Sequence, residues 1–445
     1  MSNFTNTSPT RYFTNPYLNK TLWKAELEWS EEELKQKIRE LADKCVEESL
    51  LQEPKFYGGV YLGAAGLAYA LWYAGTRPKM AAQRGHLLAA AKKLLHTHLD
   101  YLAEDPKRQN NRAFLVGSTG VYAVAALLYS SLEEKALLFA SKVANRIPLQ
   151  SQEKVAGYEK SVKEGAPSLE PLRQSCDELF SGRAGFLFAL LNLPALQADL
   201  CGDTEAILRE LVEAMLRSGR AGAEGLPASL PPSLPRPPLL YAYYGTHSLG
   251  AAHGTAAILQ ALLAAPQALL AQALPDLQAS VDCLLALQRA SGNWPASLEE
   301  ASSESSCGEE ELWHWCHGAP GIIHLLAAAY RRFKDRKYLD AAVRAGDGIW
   351  ARGLLKKGPG ICHGIAGNAY AFLLLNQLQP EEGKHLARAL AFARFMDSEE
   401  FRQGARTPDC PWSLFEGWAG TLCFYADLLD PANAEYPLFP HSPFP

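Results

Sequence analysis

Hydrophobic residues along the chain form two alternating kinds of segment. Segments such as GLAYALWYA, GVYAVAALLY, GIIHLLAAAY and GNAYAFLLLNQL are apolar on nearly every side, which is typical of buried helices. Between them lie charged segments at 30–48, 81–104, 335–355 and 381–400, whose apolar positions recur with the 3.6-residue period of a surface helix. No stretch sustains an alternation of period two. The pattern therefore predicts an all-α protein.

A Gly-x-x-Gly motif precedes or opens each buried segment, with alanine as the last residue in the fourth copy. Its seven copies are spaced by 54, 65, 72, 64, 46 and 53 residues and begin at Gly63, Gly117, Gly182, Gly254, Gly318, Gly364 and Gly417. Such a repeat predicts an α/α toroid of seven helical hairpins, with an inner ring of helices inside an outer ring. The ring is expected to close, because each inner helix needs a neighbour on both sides. The inner N-termini then crowd together at one rim, where a functional site is expected.

The domain organisation follows from the repeat. Residues 1–445 are predicted to form a single toroid domain with a short N-terminal arm. Two segments interrupt the pattern: a Pro-rich stretch at 219–239, expected to be an extended loop, and an acidic, Ser-rich loop at 296–311. Both precede a glycine motif, so both are expected to overhang the rim.

Composition narrows the class of protein. A net charge of -5 and a pI near 6.2 argue against nucleic-acid binding, which needs a basic surface. The N-terminus does not resemble a secretion signal, so a cytoplasmic location is expected, with peripheral association at the plasma membrane left open. The uncharged run 239–275 contains Pro and Gln, and predicts buried helices rather than a membrane span. Nine cysteines without framework spacing are expected to be mostly reduced.

The two positions before each first glycine carry candidate metal ligands. A histidine directly precedes the glycine at His253, His317 and His363, and a cysteine stands one position earlier only at Cys316 and Cys362. If the repeats superpose, Cys316, Cys362 and His363 lie together. Two thiolates and an imidazole suit Zn²⁺ and leave its fourth position open. The alternative is that these cysteines are inert, buried small residues, but their shared repeat position favours the metal site.

Several motifs resemble those of one known family. WCHGAPG, GICHGIAGNAY, LGAAHG and SLFEGWAGT are similar to signatures of the LanC-like proteins, eukaryotic relatives of the bacterial lanthionine cyclases. The resemblance runs from RYFTNPY to the final PLFP. LLKKGPGICHG, DELFSGRAG and YAYYGTHSLGAAHG look most similar to the third vertebrate branch of that family. That branch tends to lose an RTPD-type stretch, which this sequence keeps.

The resemblance implies a fold, a metal and a reaction. It implies an α/α toroid with Zn²⁺ held by Cys316, Cys362 and His363, and the addition of glutathione to dehydroalanine or dehydrobutyrine residues of peptides and proteins. It also implies that glutathione, as co-substrate, contacts Lys357, the stretch Arg406-Thr407-Pro408-Asp409, and Arg11 in the N-terminal arm. Lysine and arginine are suited to its carboxylates, and Asp409 to its amine.

This reaction needs a general acid, since the carbon next to the attacked one must receive a proton. His253, at the equivalent rim position of the fourth repeat, is the first candidate. His317 is the second and Glu178, in DELFSG, is the third. For each of them the alternative is a hydrogen-bonded residue that only orients its loop.

Two other functional classes stay open at this point. The first is a non-catalytic adaptor or signalling protein that binds glutathione and zinc, with PPSLPRPP and Arg236 as an SH3-type ligand. The second is a glycosidase, which the toroid architecture alone suggests and which would need two carboxylates across a cleft.

Overall fold

The computed structural model describes residues 11–22, 24–51, 58–111, 113–132, 176–191, 204–226, 231, 233–302 and 311–439. Within these ranges the regular structure is helical, and β-structure is confined to isolated bridges. In chain order the α-helices are α1 (Lys24–Leu27), α2 (Glu31–Ser49), α3 (Ala64–Thr76), α4 (Arg84–Ala103), α5 (Pro106–Asn110), α6 (Ser118–Ser131), α7 (Arg183–Leu191), α8 (Thr204–Glu224), α9 (Thr255–Ala264), α10 (Gln267–Leu270), α11 (Leu274–Leu285), α12 (Leu298–Ala301), α13 (Ala319–Phe333), α14 (Arg336–Arg352), α15 (Ile365–Leu378), α16 (Lys384–Met396), α17 (Glu399–Gly404) and α18 (Trp418–Leu428). Short 3₁₀ helices lie at Pro78–Gln83, Pro380–Glu382 and Pro431–Asn433.

Seven of these helices form the predicted inner ring. Helices α3, α6, α7, α9, α13, α15 and α18 each begin at the residue after the first glycine of a motif, and most of their side chains are buried. Outside them lie α2, α4, α8, α11, α14 and α16. Helix α18 packs against α3, so the last inner helix contacts the first and the ring closes. The predicted α/α toroid is confirmed.

The boundaries of the two predicted loops differ from expectation. Helix α8 extends to Glu224, so residues 219–224 are helical. Gly219 and Gly222 let this end of the helix pack directly against Tyr241 and the carbonyl of Leu240, where a Cβ would lie 2.5 and 2.1 Å away. The described residues of this stretch after the helix, 225, 226, 231 and 233–239, belong to no helix or strand. The acidic loop contains the short helix α12, which Ser297 caps by accepting a hydrogen bond from the N–H of Glu300. Its residues 303–310 lie outside the described ranges.

The second glycine of the motif is required by a close approach of the backbone. A Cβ atom there would lie 1.9–2.2 Å from the carbonyl oxygen of the residue six positions earlier, at Gly66, Gly120, Gly185, Gly321, Gly367 and Gly420. No side chain can be accommodated at such a distance. In these six repeats the motif therefore folds the preceding loop back onto the first turn of the inner helix, whereas the fourth repeat has Ala257 at this position.

A single methyl group at Gly367 should disrupt the rim. Its Cβ would lie 1.9 Å from the carbonyl oxygen of Ile361, the residue before Cys362. We expect Gly367→Ala to lower the free energy of unfolding by at least about 2 kcal/mol, as measured by urea denaturation. Gly85→Ala is the matched control, because nothing lies within 4 Å of a Cβ at that position of α4. Equal stability of the two variants would contradict the packing argument.

A ring of backbone hydrogen bonds joins the seven rim loops. Its members are the residues two positions before each first glycine: Tyr61, Leu115, Phe180, Ala252, Cys316, Cys362 and Phe415. The N–H groups of Ala252, Cys316, Cys362, Phe415, Tyr61 and Leu115 each donate to the carbonyl of the next member, at 2.8–3.3 Å. The remaining step, from Phe180 to Ala252, is different: the N–H of Phe180 donates to the carboxylate of Glu178 instead.

The C-terminal segment around Tyr436 and Phe439 packs against the rim loops that carry the two cysteines. The hydroxyl of Tyr436 donates a 2.8 Å hydrogen bond to the carbonyl of Ile361. Trp315 stacks on Tyr436 and Phe439, with ring centroids 5.1 and 5.8 Å apart. Because Trp315 and Ile361 directly precede Cys316 and Cys362, this segment holds the two cysteine loops in place.

Candidate active site

A cavity of about 400 Å³ opens at the rim where the inner helices begin. Its lining combines cations, imidazoles, thiols and aromatic rings: Arg11, Tyr61, Phe180, Ala252, His253, Leu312, His314, Cys316, His317, Lys357, Cys362 and His363. None of these residues carries a carboxylate. A glycosidase, which needs two carboxylates at the reacting bond, is therefore not supported by this cavity.

Cys316, Cys362 and His363 meet at one point of the cavity wall. One ligand atom from each of them lies within 4.8 Å of the other two, so the cluster could hold a metal ion. The two cysteines come together because the N–H of Cys316 donates to the carbonyl of Cys362 at 3.2 Å. The donor set, two sulfurs and an imidazole, suits a borderline-soft ion such as Zn²⁺.

The surroundings of Cys362 also fit a metal ligand. Burial, followed by the adjacent Cys316, raises the pKa of the Cys362 thiol well above its ordinary value. Without a cation, such a thiol stays protonated and unreactive at neutral pH. The hydroxyl of Tyr61 donates to Sγ of Cys362 at 3.1 Å. This is the type of second contact that orients a metal-binding sulfur.

Two cationic side chains, Arg11 and Lys357, line the cavity together with His314 and His363. Burial lowers the pKa of His314 to about 3, and the nearby charges of Lys357 and Arg11 contribute to that shift. The rings of His314 and His363 are 6.1 Å apart. An anionic ligand at this wall would therefore meet Arg11 and Lys357 close to the cysteine cluster.

The N-terminal arm delivers Arg11 to the cavity. Tyr12 bridges to Leu355, the N–H of Phe13 donates to the carbonyl of Leu354 at 2.7 Å, and the N–H of Lys356 donates to the carbonyl of Arg11 at 3.0 Å. The arm thus runs beside the segment that carries Lys357. This pairing explains how residues 346 positions apart share one wall.

His253 lies on another part of the wall and is held by Glu178. Its Nδ1 is 3.0 Å from Oε2 of Glu178, and the carboxylate also accepts from the N–H of Phe180 at 2.7 Å and from the N–H and hydroxyl of Ser181 at 2.5 Å. The Glu178 side chain is 1% exposed and that of His253 30%. With Nδ1–H donating to the carboxylate, Nε2 is the nitrogen left for exchange with a ligand.

His317 contributes a second imidazole to the lining. Burial lowers its pKa, and the nearby His253, Lys357 and His363 act in the same direction. Its Nδ1 is buried without a hydrogen-bond partner among the described residues.

The stretch Arg406-Thr407-Pro408-Asp409 lies beside the cavity but is absent from its lining. The N–H of Arg406 donates to the carbonyl of Lys356 at 2.7 Å, and Pro408 packs against Gly358. The stretch therefore contacts Lys356 and Gly358, the two residues that flank Lys357 in the sequence.

Comparison with known proteins places this architecture in a family. Residues 54–441 match the family model described as "Lanthionine synthetase C-like protein". The chain belongs to the LanC-like family. A relative from Danio rerio, named glutathione S-transferase LANCL1, is 36% identical over 353 residues, which cover 78% of each chain. The solved structure of a nisin cyclase matches with a TM-score of 0.61 over 91% of this LanC-like chain and 96% of that chain. Their identity is 16%, so this likeness concerns the fold.

Most of the site residues expected from the LanC-like motifs come together. Arg11, His253, His317, Lys357 and the Cys316, Cys362, His363 cluster line one cavity. Glu178 lies behind His253, in contact with it but outside the lining. The described residues also contain no helix long and apolar enough to cross a membrane.

Sequence reasoning missed Tyr61, Phe180 and His314. Tyr61 and Phe180 occupy the same repeat position as Cys316 and Cys362, so the repeat itself could have placed them at the cavity. His314 stands two residues before Cys316 in HWCHG, and its N–H donates to the carbonyl of His317 at 3.0 Å. That turn brings His314 to the cavity. A single turn of this kind produces no repeating pattern in the sequence from which it could be predicted.

Proposed function

We propose that this LanC-like protein is a zinc-dependent thiol transferase that adds glutathione to dehydroalanine or dehydrobutyrine residues of peptides and proteins. One observation carries the proposal: a cysteine–histidine cluster, two cations and a carboxylate-held histidine share one cavity. The name of the Danio rerio relative, which is 36% identical, supports glutathione as the thiol.

In this proposal Cys316, Cys362 and His363 hold one Zn²⁺. When bound, the ion would favour the thiolate form of a coordinating thiol at neutral pH. Tyr61 orients the Cys362 sulfur through its hydroxyl, and the ring of backbone hydrogen bonds sets the separation of the two cysteine loops.

Arg11 and Lys357 are proposed to bind the two carboxylates of glutathione. Both line the cavity, and the backbone pairing of the N-terminal arm holds them on the same wall. Arg406 and Asp409 are exposed on the adjacent stretch and could extend this contact to the far end of the tripeptide, with Asp409 at its amine. Pro408 packs against Gly358, and Thr407 is exposed beside it in the same stretch.

Proton delivery is assigned to His253. Addition forms a bond between the glutathione sulfur and the β-carbon, and the electron pair of the double bond moves towards the α-carbon, which then takes a proton. The thiol proton is lost to water, so the overall change is the addition of a thiol across the double bond. Glu178 holds Nδ1 of His253 and leaves Nε2 to donate the proton that the α-carbon takes, and His253 then regains a proton from water. His317 is the second candidate because it lines the same cavity.

A mass-spectrometric assay tests the proposed function. The purified protein is incubated with glutathione and a dehydroalanine peptide, and the expected product is the peptide increased by the mass of glutathione, at a rate above the uncatalysed addition. A rate equal to the uncatalysed one, with glutathione still bound in calorimetry, would contradict the transferase and support the adaptor alternative. In that case the exposed Arg236 beside Pro235 and Pro237 would be a candidate contact for an SH3-type partner.

Two finer assignments accompany the proposal. We assign the chain to the third vertebrate branch, LanC-like protein 3, on the motifs LLKKGPGICHG and DELFSGRAG, although the retained RTPD stretch departs from that branch. A cytoplasmic location, with possible peripheral contact at the plasma membrane, agrees with chemistry that needs reduced thiols and glutathione.

A further inference from the structure

Two adjacent tyrosines project beside His253 on a strained turn. The N–H of Tyr243 donates to the carbonyl of Thr246 at 2.9 Å, and the N–H of Thr246 donates back to Tyr243 at 3.1 Å, which closes the turn. Tyr244 has φ 49° and is 55% exposed. A left-handed backbone is unfavourable for a bulky side chain, and such positions are concentrated at functional sites.

The other non-glycine residues with positive φ among the described ranges have local structural reasons. Lys334 is the left-handed cap at the end of α13. Leu438 is buried, and its N–H donates to the hydroxyl of Tyr69. Tyr244 and Gly245, with φ 49° and 76°, are the two central residues of the turn, so the turn accounts for the left-handed backbone of Tyr244. Asparagine, aspartate and glycine are preferred at such positions, so an exposed tyrosine there favours a role at the surface.

Tyr243 and Tyr244, here called the tyrosine ledge, continue the aromatic side of the cavity. The ring of Tyr243 stacks on the imidazole of His253, with centroids 4.8 Å apart and an interplanar angle of 10°. Tyr244 meets Tyr243 edge-on at 4.4 Å. Phe180, a lining residue, contacts the same imidazole at 4.7 Å. The ledge therefore adjoins the histidine assigned to proton delivery, away from the wall that carries Arg11 and Lys357.

We infer that the tyrosine ledge binds an aromatic or large aliphatic side chain of the acceptor peptide, at a position next to the dehydroamino acid. This inference rests on the proposed function. The α-carbon of the dehydroamino acid must lie at His253, and the neighbouring α-carbon is about 3.8 Å further along the peptide. That spacing carries the neighbouring side chain onto the ledge, where tyrosine faces favour apolar and aromatic groups.

Tyr243 has a further consequence for the same histidine. Its parallel ring and the carboxylate of Glu178 together restrict rotation of the His253 imidazole. Tyr243 is thus a positioning residue, whereas Tyr244 determines which acceptor peptides are preferred.

The variant Tyr244→Asn tests the ledge. Asparagine tolerates the left-handed backbone better than tyrosine, so the turn should keep its shape while losing the ring. Two dehydroalanine peptides that differ only in a neighbouring Phe or Gly are compared by kcat/KM. We expect the wild-type protein to prefer the Phe peptide about tenfold, mainly through KM, and the variant to lose that preference. Leu51→Asn removes an apolar side chain that is 79% exposed and outside the cavity lining, and should keep the preference.

A binding measurement separates failure of the ledge from failure of the proposed function. Fluorescence anisotropy is recorded with the same peptides carrying alanine in place of dehydroalanine, so that no reaction is needed. If the wild-type protein forms no adduct yet binds the Phe peptide more tightly than Tyr244→Asn does, the ledge stands and the transferase fails. Adduct formation without discrimination between the peptides, or a preference retained in Tyr244→Asn, would overturn the ledge.

Discussion

Purified Cys362→Ala should contain almost no zinc, whereas the wild-type protein should carry about one ion per chain. The substitution removes one of three ligand atoms that lie within 4.8 Å of one another. The remaining Cys316 and His363 cannot complete a three-ligand site. Adduct formation should fall with the metal, by at least about a hundredfold, since the thiol would then react only in its free form.

The matched control for this variant is Cys45→Ala. Cys45 is buried in outer helix α2, and burial alone raises its pKa far above the ordinary range. Cys45→Ala shows whether deleting a buried thiol away from the rim changes the zinc content by itself. We expect unchanged zinc content by inductively coupled plasma mass spectrometry. Full zinc retention in Cys362→Ala would rule out the ligand assignment.

His253→Ala should slow adduct formation by about a hundredfold while leaving zinc content unchanged. The variant removes the imidazole held by Glu178 but none of the three cluster residues. Glu178→Gln should give a smaller loss, because the amide oxygen can still accept a hydrogen bond from Nδ1 of His253 and hold the ring in place.

His247 offers a matched control, because it forms a similar pair outside the cavity lining. Its Nδ1 lies 2.7 Å from Oε1 of Glu299. His247→Ala therefore removes a carboxylate-bound histidine from the same rim without touching the cavity. Its rate should stay within about threefold of wild type. If His253→Ala and His247→Ala both retain wild-type rates, His253 does not deliver the proton. His317 is then the next residue to substitute.

Local sequence predicted the inner helices well, because their start is set by sterics. Gly367 and its counterparts lie against a carbonyl oxygen too closely for any side chain, so the same requirement appears in the sequence at nearly every repeat. The cluster of Cys316, Cys362 and His363 was predictable for the same reason. Equivalent residues of consecutive repeats become neighbours in a ring, and the chemistry of those residue types is distinctive.

Other parts of the site depend on contacts between distant repeats. Tyr61 reaches Cys362 only because the seventh repeat closes onto the first, where the N–H of Phe415 donates to the carbonyl of Tyr61 at 3.3 Å. The position of Arg11 depends on the pairing of the arm with 354–356. The extent of helix α8 shows a third limit: the proline content of a segment predicts a loop but not the residue at which the preceding helix ends.

The closed ring also bears on how the protein is made. Tyr61 precedes Cys316 and Cys362 in the chain by more than 250 residues and Tyr436 follows them, yet all of them meet around the same two loops. A nascent chain that has already passed both cysteines still lacks Phe415 and Tyr436, so its thiols are exposed before their supports exist. Metal loading should therefore follow the synthesis of Phe415 and Tyr436. A chain truncated shortly before Phe415 would retain every proposed zinc ligand while losing the contacts that hold them together.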